Sequence, residues 1–213
     1  MIKAVIFDID GTLSPMNAWD HLTVRVGGSL DEDRAAFADW GAGRIPEPAA
    51  RQRMIANWSH PASPAKATFQ RILEEVALRD DAPETVVHLG SKGYLLGIIT
   101  GSFDLYAEIV GKKLDIADTY ALTTLHWDAL DRLRDIKTYH DGREPKYKRL
   151  MAFCEKHNLA PEECVAVGDG SNDMELFRAT KRGIAVKTEF EAKELEAIAW
   201  KKIRRLNELR DIL

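Results

Sequence analysis

The chain reads as an α/β protein, a three-layer α/β/α core on a mostly parallel sheet, interrupted after its first strand by an all-helical block. Three observations predict this. Apolar runs of the kind buried on both faces occur at 2–8, 94–100, 163–168 and 183–186. Helical patterns alternate with the last three runs, which is the order of a parallel sheet with crossover helices. Between 14 and 80 the periodicity is helical, with no convincing strand.

Taken in order, Ile2, Ala4, Val5, Ile6 and Phe7 form the first strand. Candidate helices follow at 20–26, 31–40, 47–58 and 64–78. Ser63-Pro64 is a start signal for the last, an N-cap followed by Pro at the first helical position. Phe69, Ile72, Leu73 and Val76 then make one buried stripe. Trp19, Phe37, Trp40 and Trp58 are read as the filling of a small helical bundle, with an aromatic wall for a substrate as the alternative. From residue 83 the expected order is a helix to Ser91, a turn at Gly93, a strand over 94–100 and a helix over 104–113. Short strands and a turn at Asp141-Gly142 are expected between 117 and 140. A helix over 146–157, the strand 163–168, a helix over 173–179, the strand 183–186 and a helix over 189–197 complete the alternation. No repeat or long linker interrupts the chain, so the block at 14–80 is an insertion into a core formed by 1–13 and 81–213.

Composition bounds the class of function. Hydrophobic content of 45% and charged content of 30% describe a globular protein. A net charge of −4 argues against a nucleic-acid or acidic-membrane partner. No stretch approaches the ~20 apolar residues of a membrane span. Lys3, Asp8 and Asp10 sit inside the first apolar segment, which is unlike a signal peptide, so a cytoplasmic location is expected. Cys154 and Cys164 read as reduced core thiols. The histidines show no metal-ligand or triad spacing. Lys201-Lys202-Ile203-Arg204-Arg205, with Leu206, Leu209 and Leu213 at helical spacing behind it, reads as a solvated face.

Four segments carry chemistry. Phe7-Asp8-Ile9-Asp10-Gly11-Thr12 ends the first strand on two carboxylates. Unpaired buried acids are costly, and a bound divalent cation is the simplest offset. Ile98-Ile99-Thr100-Gly101-Ser102 ends the second strand on hydroxyls and a glycine, ahead of a helix at Asp104, where backbone N–H groups suit a phosphate oxygen. Val167-Gly168-Asp169-Gly170-Ser171-Asn172-Asp173 places two acids across a glycine turn. Lys146 opens the helix before that strand. In a parallel sheet these ends share one edge, where ligands sit. Acids and one lysine there would surround Mg²⁺ and a phosphoryl group.

In this order the four segments resemble the motifs of the haloacid dehalogenase superfamily, whose core is Rossmann-like. The helical insertion resembles the small C1-type cap of its phosphoserine phosphatase branch. Gly168-Asp169-Gly170-Ser171-Asn172-Asp173, the step from Lys146 to Asp169, and the ending Glu208-Leu209-Arg210-Asp211-Ile212-Leu213 are similar to that branch too. The resemblance implies Asp8 as nucleophile and Asp10 as general acid and then base. It implies Mg²⁺ held by Asp8, Asp169, Asp10 through its backbone carbonyl, and the Asp173 region, with Asp173 orienting Lys146 or a metal-bound water. Thr100, Gly101 and Ser102 would face the phosphoryl oxygens, Lys146 would neutralise charge, and Asn172 would line the pocket. The acid with which the branch pairs its substrate's amino group falls at Asn17, an amide. Arg53, or Arg51, is the candidate cap arginine for a substrate carboxylate. The implied activity is a Mg²⁺-dependent phosphomonoesterase acting on a small phosphorylated metabolite. Phosphoserine, another carboxylate-bearing ester and a phosphosugar are all open as substrates. A phosphotransferase and a phospho-acceptor switch are the alternatives, and the oligomeric state is left open.

Overall fold

Seven strands form one sheet in the order β4-β3-β2-β1-β5-β6-β7. The computed structural model describes residues 1–59, 62–138, 145–189 and 192–213. The strands are β1 (Ala4–Phe7), β2 (Leu95–Phe103), β3 (Asp118–Trp127), β4 (Leu133–Thr138), β5 (Cys164–Gly168), β6 (Gly183–Val186) and β7 (Lys201–Ile203). All neighbours are parallel except β3 and β4. The central strand is β1, paired with β2 and β5, and all four of its residues are buried. Its alternation splits the core. Val5 and Phe7 pack on one face with Ile98, Val165 and the inserted helices. Ala4 and Ile6 pack on the other with Leu150, Phe153 and Phe177.

The inserted block comprises α1 (Ala18–Arg25), α2 (Leu30–Gly41), α3 (Glu47–Trp58) and α4 (Lys66–Glu74). Asn17 is the N-cap of α1, its side chain accepting from Asp20 N–H, so this helix begins two residues earlier than expected. By contrast, α4 begins at Lys66 and not at Pro64. The residues of the start signal pair with the β3–β4 connection instead. Ser63 Oγ donates to Leu133 O at 2.6 Å, Lys66 N–H donates to Asp131 O at 2.7 Å, and Ala65 bridges Arg132. A long-range pairing has overridden the local signal.

Aromatic rings fill much of the block, while Trp19 and Phe37 are half-buried and also face a cavity. Trp58 and Phe69 are fully buried, and Trp19 packs against Phe37, Trp58 and Phe103. Among these rings lies one buried acid. Asp33 accepts from Trp58 Nε1 at 3.0 Å, from Asn57 Nδ2 at 2.8 Å and from Thr23 Oγ1.

The core helices are α5 (Ala82–Ser91), α6 (Asp104–Leu114), α7 (Pro145–His157), α8 (Met174–Thr180), α9 (Lys193–Ile198) and α10 (Leu209–Ile212). The basic stretch at 201–203 is a seventh strand, not a helical face, although Lys201 and Lys202 are exposed as expected. Cys154 and Cys164 are buried free thiols with Sγ atoms 3.8 Å apart. The turn expected at Asp141-Gly142 lies outside the described residues. Among those described, no helix is long and apolar enough to cross a membrane.

Replacing Asp33 with Ala removes the acceptor of the buried Thr23 hydroxyl and of the Asn57 amide, and leaves the Trp58 indole N–H only Thr23 Oγ1. Urea unfolding should show a loss of about 2–4 kcal/mol, well beyond that of an exposed Asp31→Ala control.

Candidate active site

The strand order β2-β1-β5 sets three strand ends side by side. Asp8 follows β1 directly and continues its pairing, its N–H donating to Val167 O at 3.0 Å. Asp169 follows β5 directly. Thr100 lies inside β2, which runs on to Phe103 instead of ending in a turn. Thr100 pairs with Ala121 and Phe103 with Thr123, so one extra residue bulges out between them. Ser102 N–H donates to Thr100 Oγ1 at 3.1 Å, and Thr123 Oγ1 donates to Gly101 O at 3.1 Å. The Thr-Gly-Ser segment is therefore fixed from both sides.

Lys146 is wholly buried. Its Nζ lies 2.6 Å from Asp173 Oδ1 and 3.1 Å from Asp8 Oδ1. Its own N–H donates to Glu175 Oε1 at 2.7 Å, which anchors the start of α7 to α8. Burial alone would lower the Lys146 pKa, but Asp173 and Asp8 outweigh burial and raise it. Asp173 spends its other oxygen on the N–H groups of Asp169 and Gly170, at 3.1 and 3.2 Å. It is thus a bracket joining the lysine to the turn that carries Asp169. Thr12 Oγ1 donates to Asp169 Oδ1 at 3.0 Å. Gly11 has φ +80°, and a Cβ there would lie 2.0 Å from Asp169 Oδ2. Both the backbone conformation and the close carboxylate require glycine at this position.

Asp10 ties the site to the inserted block. Its Oδ1 accepts from Ala18 N–H at 3.0 Å, at the start of α1. Burial, then repulsion from Asp8, pushes its pKa up to about 7. Burial, then Asp8 and Asp173, pushes Asp169 up to about 7 as well. An acid near 7 can both give and take a proton at neutral pH.

Asp8, Asp169 and Asp173 each offer a carboxylate oxygen within 4.8 Å of the others. Asp8 Oδ1 is buried and has no hydrogen-bonded partner, Lys146 Nζ being near it but off line. Three carboxylates beside an open cavity, with no sulfur or nitrogen donor among them, suit a hard divalent cation such as Mg²⁺. Asp173 is already committed to Lys146 and two amides, which leaves Asp8 and Asp169 as the free carboxylate donors. The Asp10 carboxylate is not in this group, so only its main chain is left for that role.

A cavity of about 420 Å³ opens over these groups. Asp8, Asp10, Thr100, Gly101, Ser102, Asp169 and Asn172 line it from the core, and Asn17, Trp19, Asp20 and Phe37 from the inserted helices. The expected cap arginine is absent from it. Arg53 pairs with Asp39 at 2.7 Å on the outer face of the block, and Arg51 pairs with Asp135 at 3.2 Å. Both were plausible in sequence because helical spacing does not tell which face turns inward. Arg79, in contrast, carries no sequence signal. It lines a second cavity of about 550 Å³ on the far side of Asp10, and its Nε and Nη2 donate to Thr12 O and Gly11 O, both at 2.7 Å. Nothing in the local sequence marks an arginine whose partners lie almost seventy residues upstream.

The family model of haloacid dehalogenase-like hydrolases matches residues 5–178. The phosphoserine phosphatase of Methanocaldococcus jannaschii is 25% identical over 185 residues, covering 86% of this chain and 84% of that protein. The phosphoserine phosphatase SerB2 of Mycobacterium tuberculosis is 28% identical over 185 residues, and the match spans 44% of its length. A solved structure described as a phospho-aspartyl intermediate analogue of phosphoserine phosphatase superposes with a TM-score of 0.79 at 21% identity. That likeness covers 100% of this chain and 99% of the other.

Two outcomes are expected here. Arg79→Ala should lower kcat about tenfold to 100-fold by loosening the Gly11-Thr12 loop, with Arg79→Lys recovering part of it. The second concerns stability in chelator. Asp10 and Asp169 bind protons more tightly folded than unfolded, so stability falls as pH rises from the unfolded carboxylate range near 3.8 to about 7. Melting temperatures of the chelated protein should decline across that window, and added Mg²⁺ should raise them more at pH 7.5 than at pH 5.

Proposed function

The chain belongs to the haloacid dehalogenase-like hydrolase family and is a phosphatase, and from there we propose that it hydrolyses a small phosphomonoester through a phosphorylated Asp8. The observation that carries this is the buried Asp8 carboxylate, held 3.1 Å from the Lys146 ammonium at the end of the central strand. A carboxylate nucleophile carries negative charge, and that ammonium is the positive charge standing beside it.

In the first step an Asp8 oxygen attacks phosphorus while the bond from phosphorus to the leaving oxygen breaks. Asp10, protonated near neutral pH, gives its proton to that oxygen and releases the alcohol. In the second step the Asp10 carboxylate takes a proton from water as the water oxygen attacks phosphorus. The bond to Asp8 breaks, and inorganic phosphate leaves. Thr100, in its bulged strand, and the main chain of Gly101 face the phosphoryl oxygens across the cavity, and Lys146 balances the charge that Asp8 sheds. Mg²⁺ bound by Asp8 and Asp169 would neutralise the phosphoryl oxygens. The helices of 14–80 act as the cap, their Asn17–Asp20 turn closing the cavity against bulk water. The cavity of about 420 Å³ suits a small metabolite. Phosphoserine heads the compounds to test because the relatives carry its name.

The test is phosphate release with Mg²⁺ from a panel of monoesters. Asp8→Asn should lower kcat by about 10³-fold or more on every ester, and a chelator should do the same. Asp10→Asn should cost about 10²–10⁴-fold on alkyl phosphates and much less on p-nitrophenyl phosphate, whose leaving group needs no proton. Release that survives Asp8→Asn would remove Asp8 as the nucleophile.

A further inference from the structure

The half of the cavity that faces the leaving alcohol has its own chemistry. On the cap side it is walled by Trp19, Phe37, Asn17 and Asp20. The Trp19 and Phe37 rings lie 5.2 Å apart with their planes at 83°, so they form two walls of a corner. Trp19 is held in place from behind by Phe103 at 4.2 Å and Trp58 at 5.6 Å. Asp20 sits on the first turn of α1, and its backbone is fixed by the Asn17 side chain.

Charge separates the possible occupants. Among the described residues lining this cavity there is no lysine or arginine, while Asp8, Asp10, Asp20 and Asp169 all line it. Lys146 lies beneath the phosphoryl end, committed to Asp8 and Asp173. Arg34 bonds Asp20 Oδ2 at 2.7 Å from outside the lining, with both side chains well exposed. Such a pair contributes little and exchanges readily. A carboxylate on the alcohol would therefore meet Asp20 and no cation of this lining, Arg79 and Lys187 standing in the neighbouring cavity. An ammonium group would meet the Asp20 carboxylate and two aromatic walls, the surround that favours alkylammonium ligands.

We propose that the substrate is a phosphorylated amino alcohol without a carboxylate, its nitrogen seated between Asp20 and the rings of Trp19 and Phe37. The assignment rests on the phosphatase reading above and narrows it. Asp20 is then the specificity determinant, one helical turn beyond the amide at Asn17. The amino alcohol leaves with the Asp10 proton on its oxygen and its nitrogen unchanged.

The experiment compares kcat/KM for phosphoethanolamine, phosphocholine, phosphoserine and the phosphate monoester of ethylene glycol, a neutral match in length. Phosphoethanolamine or phosphocholine should exceed the neutral ester by about tenfold or more, with phosphoserine at or below it. Asp20→Asn, a near-isosteric change, should bring the amino-alcohol esters down to the neutral one. Arg34→Gln frees Asp20 and should lower KM for the amino-alcohol esters about two- to fivefold. The proposal is overturned if phosphoserine leads, if the neutral ester equals the amino-alcohol esters, or if their ratio is unchanged in Asp20→Asn. A fall in phosphoserine turnover in Arg34→Gln would likewise overturn it, assigning Arg34 to a substrate carboxylate. If none of these esters is cleaved while p-nitrophenyl phosphate still turns over through Asp8, this inference fails and the Asp8 mechanism stands. If p-nitrophenyl phosphate is untouched too, the Asp8 mechanism fails first and this inference goes with it.

Discussion

Everything at the sheet edge depends on one buried ammonium. Lys146 has no exposure, and an unpaired charge there would cost several kcal/mol. Its two partners come from different places, Asp8 from the end of β1 and Asp173 from the turn after β5. The lysine therefore demands that α7, the central strand and the β5–α8 turn meet within a few ångströms. Asp173 passes the constraint on through the amides of Asp169 and Gly170, and Thr12 returns it to the first loop. One positive charge does not balance the acids so gathered. The excess negative charge suits a divalent cation.

Much of this was legible in the chain because its signals are local. A strand ending on Asp8 and Asp10, a glycine turn between Asp169 and Asp173, and a lysine opening a helix are each contiguous in sequence. What escaped the sequence depends on distant partners. Ser63-Pro64 has the composition of a helix start, yet its backbone is taken by Asp131, Arg132 and Leu133. Thr100-Gly101-Ser102 has the composition of a turn, yet β3 holds it as a bulged strand. Arg79 is one of many arginines until the carbonyls of Gly11 and Thr12 are seen to face it. Arg53 has the right residue type in the right block, but its helix turns it toward Asp39.

The inserted helices meet the core at several places, among them α4 against α6, where Lys113 Nζ donates to Glu74 O at 2.7 Å. At the crossing strands, Ser14 Oγ donates to Ala77 O at 2.8 Å and Arg79 N–H to Leu13 O at 2.9 Å. At the opposite end, Arg51 reaches Asp135, and Ser63 and Lys66 bond the β3–β4 connection. The antiparallel β4 edge thereby serves as a ledge for the helical block. Asn17, Trp19, Asp20 and Phe37 lie between these contacts, with Trp19 packed on Phe103 of the core. Their positions relative to Asp8 are set by packing as well as by the short crossing segments.

The central place of β1 also has a consequence for how the molecule comes into being. The strand that leads into Asp8 occupies residues 4–7, but its neighbours begin at Leu95 and Cys164. Neither side of β1 can be paired by a hairpin. Both closures span long loops whose entropy is lost before any ladder bond rewards it. During synthesis the first strand therefore leaves the ribosome early and stays unpaired until β2 arrives, while its second edge waits for most of the chain. The acid cluster is among the last features to assemble, so a truncated product of this chain holds helices and half a sheet without holding its chemistry.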